Sequence, residues 1–253
     1  MDNSKELIVD TCLLAGRIMM ESGSEVYRVE DTMSRIAASA GEPDSISYVT
    51  VTGLFMGLRN GHHTQVENVG ERTINLEKVS SVNQLSRQFA EKKIELNELY
   101  GSLEKIDRET PFFPLWMQII SAGLVSSFMM YLFVETWSDF LITFLVGIIG
   151  FSVKYNIKKQ LDVKYVDVFF AAFFIGICAS LTVHLGWGQN VDSIIIGAIM
   201  PHVPGVAITT SFRDILAGHL LSGIARGTEA IIIALAIGIG IVVSLSMMGG
   251  GIL

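Results

Sequence analysis

Between Met200 and Glu229 the chain reads MPHVPGVAITTSFRDILAGHLLSGIARGTE, a segment with two prolines, four glycines and four charges: Arg213, Asp214, Arg226 and Glu229. It lies between apolar runs. Lipid tolerates irregular backbone and ionised side chains only where protein or a water-filled cavity surrounds them, so the segment is a candidate transport site. Pro201 and Pro204 each lack an N–H and clash with the carbonyl four residues earlier, which predicts a broken helix whose Gly197 and Met200 carbonyls lose their partners. Gly205 gives the chain freedom to turn. A second helical piece starting at Thr209 would present free N–H groups with Thr209, Thr210 and Ser211 as a donor cluster for a carboxylate. A simple kinked span is the alternative reading.

The charges in this segment suggest roles. Arg213 or Arg226 could hold a substrate carboxylate, and Glu229 could accept a coupling proton. Arg226 and Glu229 stand three apart on one helix face, so an interfacial ion pair is the competing reading. His184, His202 and His219 are possible proton carriers, with His202 first because it lies between the prolines. Gly223 and Gly227 have the spacing of close helix packing. Glu135, Asp139 and Asp192 fall in expected outer loops and read as solvated.

A second polar set lies near the start. Glu25, Arg28, Asp31 and Arg35 recur at steps of three and four. They form either a surface ion-pair ladder or a polar cluster on the substrate path. The adjacent His62-His63 pair has no third ligand at useful spacing, so no metal is expected. Cys12 and Cys178 are two isolated thiols, neither a disulfide framework nor a zinc site.

These residues need elements to position them. Residues 1–113 hold 12 Lys+Arg and 18 Asp+Glu, whereas residues 114–253 hold 6 and 7. The first part therefore carries six of the seven net negative charges, since 18 − 12 is 6. An acidic chain without a basic patch argues against a nucleic-acid partner. The expected domains are a cytoplasmic α+β domain over residues 1–113, ending in a long helix, and a transmembrane domain over 114–253. In the first, Leu7–Met20 reads as an amphipathic helix. Ser22-Gly23-Ser24-Glu25 reads as a capping box that starts a second helix, ending at Gly41 and Pro43. Ile46–Leu58 and Thr64–Val69 read as a hairpin across the Asn60-Gly61 turn. Ile74–Ile106 reads as one long helix, with Pro111 and Pro114 marking the junction.

Five apolar runs follow: Leu115–Val134, Trp137–Val153, Val166–Leu185, Val191–Ile208 and Ala230–Ile252. Each has about the 17–25 residues that cross a bilayer as a helix. Lys154, Lys158, Lys159 and Lys164 fall between the second and third runs, while Glu135–Asp139 and Gly186–Asn190 carry no Lys or Arg. The positive-inside rule then expects a cytoplasmic amino terminus and an external carboxyl terminus. The start, with acidic residues and an interrupted apolar run, is not read as a signal peptide. The expected fold class is a mainly α polytopic membrane protein of about five spans, one broken by proline, after a small α+β domain.

The two polar segments resemble the two signatures of the threonine/serine exporter family. One is Gly23-Ser24-Glu25-Val26-Tyr27-Arg28-Val29-Glu30-Asp31-Thr32-Met33. The other runs Met200-Pro201-His202-Val203-Pro204-Gly205-Val206-Ala207-Ile208-Thr209, followed by Arg213-Asp214, Ser222-Gly223, Arg226-Gly227 and Glu229-Ala230. The order and spacing suit the family over nearly the whole chain. The family pattern departs at His202, usually aliphatic there, and at His219, often acidic. The resemblance implies an inner-membrane or plasma-membrane secondary exporter. Its implied substrates are threonine and serine or, for the split form, the dicarboxylate succinate. It also implies transport roles for Pro201, Pro204, Gly205, Thr209, Thr210, Arg213, Asp214, Ser222, Arg226 and Glu229, and a cytoplasmic motif of Glu25, Tyr27, Arg28, Glu30 and Asp31. The chain resembles the larger subunit of a split pair, which implies a smaller membrane partner, with two copies of this chain as the alternative.

Two other classes compete. A membrane-embedded hydrolase would need a nucleophile or metal set, but the chain has no G-x-S-x-G, no H-E-x-x-H and no usable Ser/His/Asp set. A membrane sensor or scaffold is supported by no ligand-domain motif. A P-loop is also missing, so neither ATP-driven pumping nor any cofactor is expected.

Overall fold

A computed structural model describes residues 2–59, 64–109, 113–161 and 163–248. Ten α-helices and one three-stranded sheet are described among these residues. The chain divides into two compact units: residues 1–111 with 206–227, and residues 112–205 with 228–253.

In the first unit α1 (Asp2–Glu21) is the central element. Its apolar spacing buries Ile8, Val9, Cys12, Leu13, Ala15, Ile18, Met19 and Met20 along one stripe. Burying each of the larger side chains contributes about 1.5–3 kcal/mol. A Cβ at Gly16 would stand 2.6 Å from Met33 Sδ and 2.9 Å from Leu54 Cδ2, so glycine there permits close approach. Burial pushes the Cys12 thiol up to about 12, which leaves it unreactive.

Helix α2 (Val26–Ser39) packs Val29, Met33 and Ile36 against α1. The strands are β1 (Ser45–Val49), β2 (Gly53–Leu58) and β3 (Thr64–Asn68), antiparallel in the order β1-β2-β3. The expected β2–β3 pairing is present, and its turn, with His62 and His63, lies outside the described residues. The expected first strand is two strands. The Thr50 hydroxyl donates to the Gly53 carbonyl at 2.9 Å and accepts from its N–H at 3.0 Å, turning the chain between β1 and β2. Alternation gives the sheet one buried face, Val49, Leu54, Met56 and Leu58, against the helices.

The expected single helix over 74–106 is two, α3 (Leu76–Ala90) and α4 (Leu96–Glu109). Lys92, at φ 57°, turns the chain between them, and the Lys92 and Lys93 N–H groups donate to Phe89 and Gln88 carbonyls. The apolar period continues across this break because both helices bury onto one core: Val79, Val82 and Phe89 from α3, Leu99 and Leu103 from α4.

The second unit contains α5 (Leu115–Val134), α6 (Phe140–Gln160), α7 (Val166–His184) and α8 (Val191–Ile199), with the later turns of α10 (Leu220–Met248). Four helices, α5, α6, α7 and α10, are long and apolar enough to cross a membrane, and α8 with α9 (Gly205–Leu216) makes a fifth if the broken pair is one span. Small residues let these helices meet, as they must where lipid offers no hydrophobic contrast. A Cβ at Gly197 of α8 would lie 2.6 Å from the Ser126 carbonyl oxygen of α5. The Ser127 hydroxyl donates to the Phe140 carbonyl at 2.8 Å, joining α5 to the start of α6. Lys154, Lys158 and Lys159 lie on the last turns of α6, not in a loop, because the helix runs seven residues past the apolar run's end at Val153. Trp116, Trp137 and Trp187 are exposed at or near helix ends, where indoles suit the interface.

One outer-loop carboxylate departs from expectation. Asp139 is 2% exposed: its Oδ1 accepts from the Gln189 N–H at 2.7 Å and its Oδ2 from the Asn190 N–H at 3.1 Å. It ties the α5–α6 turn to the α7–α8 turn. Glu135 and Asp192 are exposed, as expected, although Asp192 lies in the first turn of α8 and not in a loop.

Candidate carboxylate-handling cluster

The first unit gathers charges from three places in the sequence. Helix α9 carries Arg213 and Asp214, the first turns of α10 carry Ser222 and Arg226, and the α1–α2 junction carries Ser24, Glu25 and Val26. The α9–α10 connection is short. Gly218, at φ 92°, reverses the chain, and the His219 N–H donates to the Asp214 carbonyl at 2.8 Å. The two helices then pack closely. The Ser211 hydroxyl donates to the Gly223 carbonyl at 2.7 Å, and a Cβ on Gly223 would stand 2.9 Å from the Ser211 carbonyl oxygen. Gly223 therefore marks close packing, as its spacing suggests.

Asp214 is fully buried and Arg226 is 6% exposed. Asp214 Oδ1 accepts the Val26 N–H at 3.0 Å, and Asp214 Oδ2 lies 3.3 Å from Arg226 Nε. Arg226 Nη2 donates to the Ser24 carbonyl at 2.8 Å and lies 3.5 Å from Met20 Sδ. One carboxylate thus sits between a guanidinium and the N-terminus of α2, where helix N–H groups and the dipole favour negative charge. The expected capping box is absent: Glu25, not Ser22, is the N-cap residue, and no side chain of its own segment caps the helix. Asp214, 188 positions away, supplies the acceptor.

A more exposed tier lies beside this pair. Arg213 Nη1 donates to Glu25 Oε1 at 2.6 Å, and Arg28 Nε lies 3.1 Å from Glu25 Oε2. Burial pushes the Glu25 carboxyl upward. Its own backbone N–H, Arg213 and the Arg28 charge outweigh that effect and hold it below the ordinary carboxylate value. His219 Nε2 lies 3.7 Å from Glu30 Oε2, and Glu30 Oε1 accepts the Val49 N–H at 3.2 Å. Asp31 and Arg35 pair with each other at the surface, so that half of the helical series is the plain ladder. Tyr27 is exposed and its hydroxyl accepts from Arg28 Nε at 3.1 Å.

The remaining expected residues divide as follows. Thr210 and Ser222 are buried in this unit, and Thr209 is exposed with its hydroxyl donating to the Val206 carbonyl at 3.1 Å. The second helical piece starts at Gly205, four residues before Thr209, so Thr209, Thr210 and Ser211 do not form its donor end. The broken span keeps its backbone satisfied: Met200 N–H donates to the Gly197 carbonyl, and Val203 N–H to the Met200 carbonyl at 3.3 Å. Tighter three-residue hydrogen bonding replaces the helical partners the prolines remove. Pro201, His202, Pro204 and Gly205 belong to the second unit, as does half-buried Glu229. His202 is 4% exposed, and neither ring nitrogen has a hydrogen-bond partner among the described residues. A Cβ on Gly150 would meet its Nε2 at 3.3 Å. Ser24, Met20 and the Val26 N–H are missed by sequence reasoning. Ser24 and Val26 fall inside the first signature, but nothing in the sequence links them to Arg226. No group of three His, Cys, Asp or Glu is placed to hold a metal among the described residues.

The fold and this cluster define a multi-pass membrane protein with a buried carboxylate–guanidinium centre. The family model described as "Putative threonine/serine exporter" (ThrE) matches residues 10–248, and the chain belongs to that family. The family is one of transporters, not enzymes. The chain is 19% identical over 250 residues to a protein of Klebsiella aerogenes named "Probable succinate transporter subunit YjjP", covering 98% of this chain and 96% of that one. It is 22% identical over 242 residues to the protein of the same name from Escherichia coli K12, covering 94% and 93%. It is 19% identical over 245 residues to a "Probable threonine/serine exporter" of Mycobacterium tuberculosis H37Rv, covering 94% of this chain but 46% of that one. No solved structure matches the chain.

Proposed function

We propose that this chain is the larger subunit of a secondary-active, proton-coupled exporter of small carboxylate metabolites, working with a smaller membrane subunit. The supporting observation is the buried Arg226, a guanidinium already set against a carboxylate on the helical hairpin that follows the proline break. Relatives are named for succinate and for threonine and serine, and a carboxylate is the chemistry these cargoes share. A partner is supported by the word "subunit" in two relatives' names and by the third relative, more than twice the length matched here.

In this reading residues 1–113 form a cytoplasmic domain and residues 114–253 the membrane domain. The amino terminus is cytoplasmic and the carboxyl terminus external. Lysines at the α6 end support that orientation, as do the Lys- and Arg-free connections before α6 and before α8. Pro201, Pro204 and Gly205 provide the hinge of the pathway. Arg213, Asp214, Thr209, Thr210, Ser222 and Arg226 handle the cargo. Glu25, Tyr27, Arg28, Glu30 and Asp31 form its cytoplasmic collar, and Glu229 or His202 carries the coupling proton.

Counterflow tests the reading. Proteoliposomes holding the chain and its smaller subunit, loaded with unlabelled succinate, threonine or serine, should accumulate the matching labelled compound, and the chain alone should accumulate little. No counterflow of any of the three would overturn it.

A further inference from the structure

We infer that the seat of Asp214 is itself a carboxylate-binding site, occupied at rest by the chain's own side chain and taken over by the cargo's carboxylate during transport. The inference rests on the exporter reading above and adds where the cargo binds and what it displaces. The seat has three parts. The Arg226 guanidinium is 6% exposed and already held in place by the Ser24 carbonyl at 2.8 Å. The Val26 N–H opens α2, a helix of 14 residues whose first turn contains no acidic residue. The Ser24 hydroxyl is 2% exposed and has no hydrogen-bond partner among the described residues. A buried hydroxyl without a partner is costly; this one belongs to the residue two before Val26 whose carbonyl already accepts from Arg226, which makes it the nearest spare donor in the sequence to the seat.

Asp214 fills this seat only in part. Oδ1 is well bonded to Val26, but Oδ2 stands 3.3 Å from Arg226 Nε without hydrogen-bond alignment, longer than the roughly 2.7–2.9 Å of a charge-assisted bond. Nor does the side chain engage the Ser24 hydroxyl. A free carboxylate, not tethered to α9, has the freedom to align on the guanidinium, accept the Val26 N–H and accept the Ser24 hydroxyl together. It would be the better occupant, and the exchange would free Asp214, and with it α9, from the α1–α2 junction. Charge is conserved in the exchange: one carboxylate leaves the guanidinium as another arrives.

Three full-length variants in lipid nanodiscs, assayed for binding of labelled succinate and threonine, provide the test. Asp214→Asn keeps the acceptor for Val26 but removes the competing charge. If Asp214 holds the seat nine-tenths of the time, cargo affinity should tighten about tenfold. Ser24→Ala removes a hydroxyl that does nothing at rest, so thermal stability should be unchanged or higher while cargo affinity falls severalfold. A merely structural cluster would not move affinity in this way. Asp214→Ala leaves the seat vacant, and sodium acetate should raise its unfolding temperature more than equimolar sodium chloride does, and more than acetate raises the wild type's. Unchanged or weaker binding in Asp214→Asn, unchanged binding in Ser24→Ala, or equal effects of acetate and chloride would each overturn the inference. Should the Asp214 variants fail to fold, Ser24→Ala alone decides it. Normal wild-type counterflow with no change in Ser24→Ala would refute the seat and leave the exporter reading standing. Acetate rescue without counterflow would do the reverse.

Discussion

At the scale of single residues, two carboxylates sit in unlike surroundings and make separate predictions. Glu25 has its folded-state pKa depressed by its partners, Arg213 foremost among the side chains. A depressed carboxyl contributes stability above its unfolded value, near 4.3, and loses it as pH falls through the folded value. Thermal unfolding of the wild type and Glu25→Gln should therefore differ by a constant amount from pH 7 down to about 5, and the difference should shrink as pH falls further, through the depressed folded-state value. A difference that grows on acidification would contradict the assignment of Arg213 and Arg28 as its partners. Asp139 accepts two backbone N–H groups from the α7–α8 turn while buried. Bonds to a charged acceptor contribute about 1.5–3 kcal/mol each. Asp139→Ala should thus cost about 3–6 kcal/mol and release the turn at 185–190. Limited proteolysis of that turn, with cleavage faster than in the wild type, is the readout.

Among the elements, the break between α8 and α9 is the one whose role a substitution can isolate. Its two prolines disfavour helix by about 3 kcal/mol each relative to alanine. The intervening Val203 is extended, at φ −65° and ψ 128°. Changing both Pro201 and Pro204 to alanine should let one helix continue from Val191 to Leu216, with folding retained and counterflow lost. Wild-type counterflow in that double variant would reduce the break to a kink. The α9–α10 hairpin adds the second lesson at this scale. Its helices are held together by glycine and serine at Gly223 and Ser211, and so bring Arg213, Asp214 and Arg226 to one end.

For the whole molecule the consequence is that the first unit is not one stretch of chain. Residues 206–227 complete it although three membrane-length helices and α8 intervene in the sequence. The fragment of residues 1–111 should therefore unfold more readily than the same fragment joined by a flexible linker to residues 206–227. The expected difference is about 1–3 kcal/mol, the cost of leaving the α2 terminus without its buried acceptor and of losing the pair that holds it. Equal denaturation midpoints would mean that the segment contributes nothing to the unit.

The sequence alone determined the elements whose cause is local. Apolar runs set the spans, because backbone in lipid must satisfy itself as helix. Period 3.6 set α1 and α2, alternation set β2 and β3, and the prolines set the break. The polar residues of the site were legible as types, two arginines and two carboxylates in a Gly- and Pro-broken segment. Their partners were not. A capping box at Ser22 and a donor cluster at Thr209 follow from local rules, yet α2 takes its cap from Asp214 and α9 begins at Gly205. One long helix over 74–106 follows from an unbroken apolar period, but Lys92 turns the chain so that two helices share one core. Asp139 reads as a solvated loop residue until two turns fifty positions apart close over it. For the α2 cap and for Asp139 the deciding contact joins residues remote in sequence. Spacing along the chain carries no information about which buried donor will face which buried acceptor. Tertiary packing settles that pairing, because it removes water from both groups at once and leaves each with only the other.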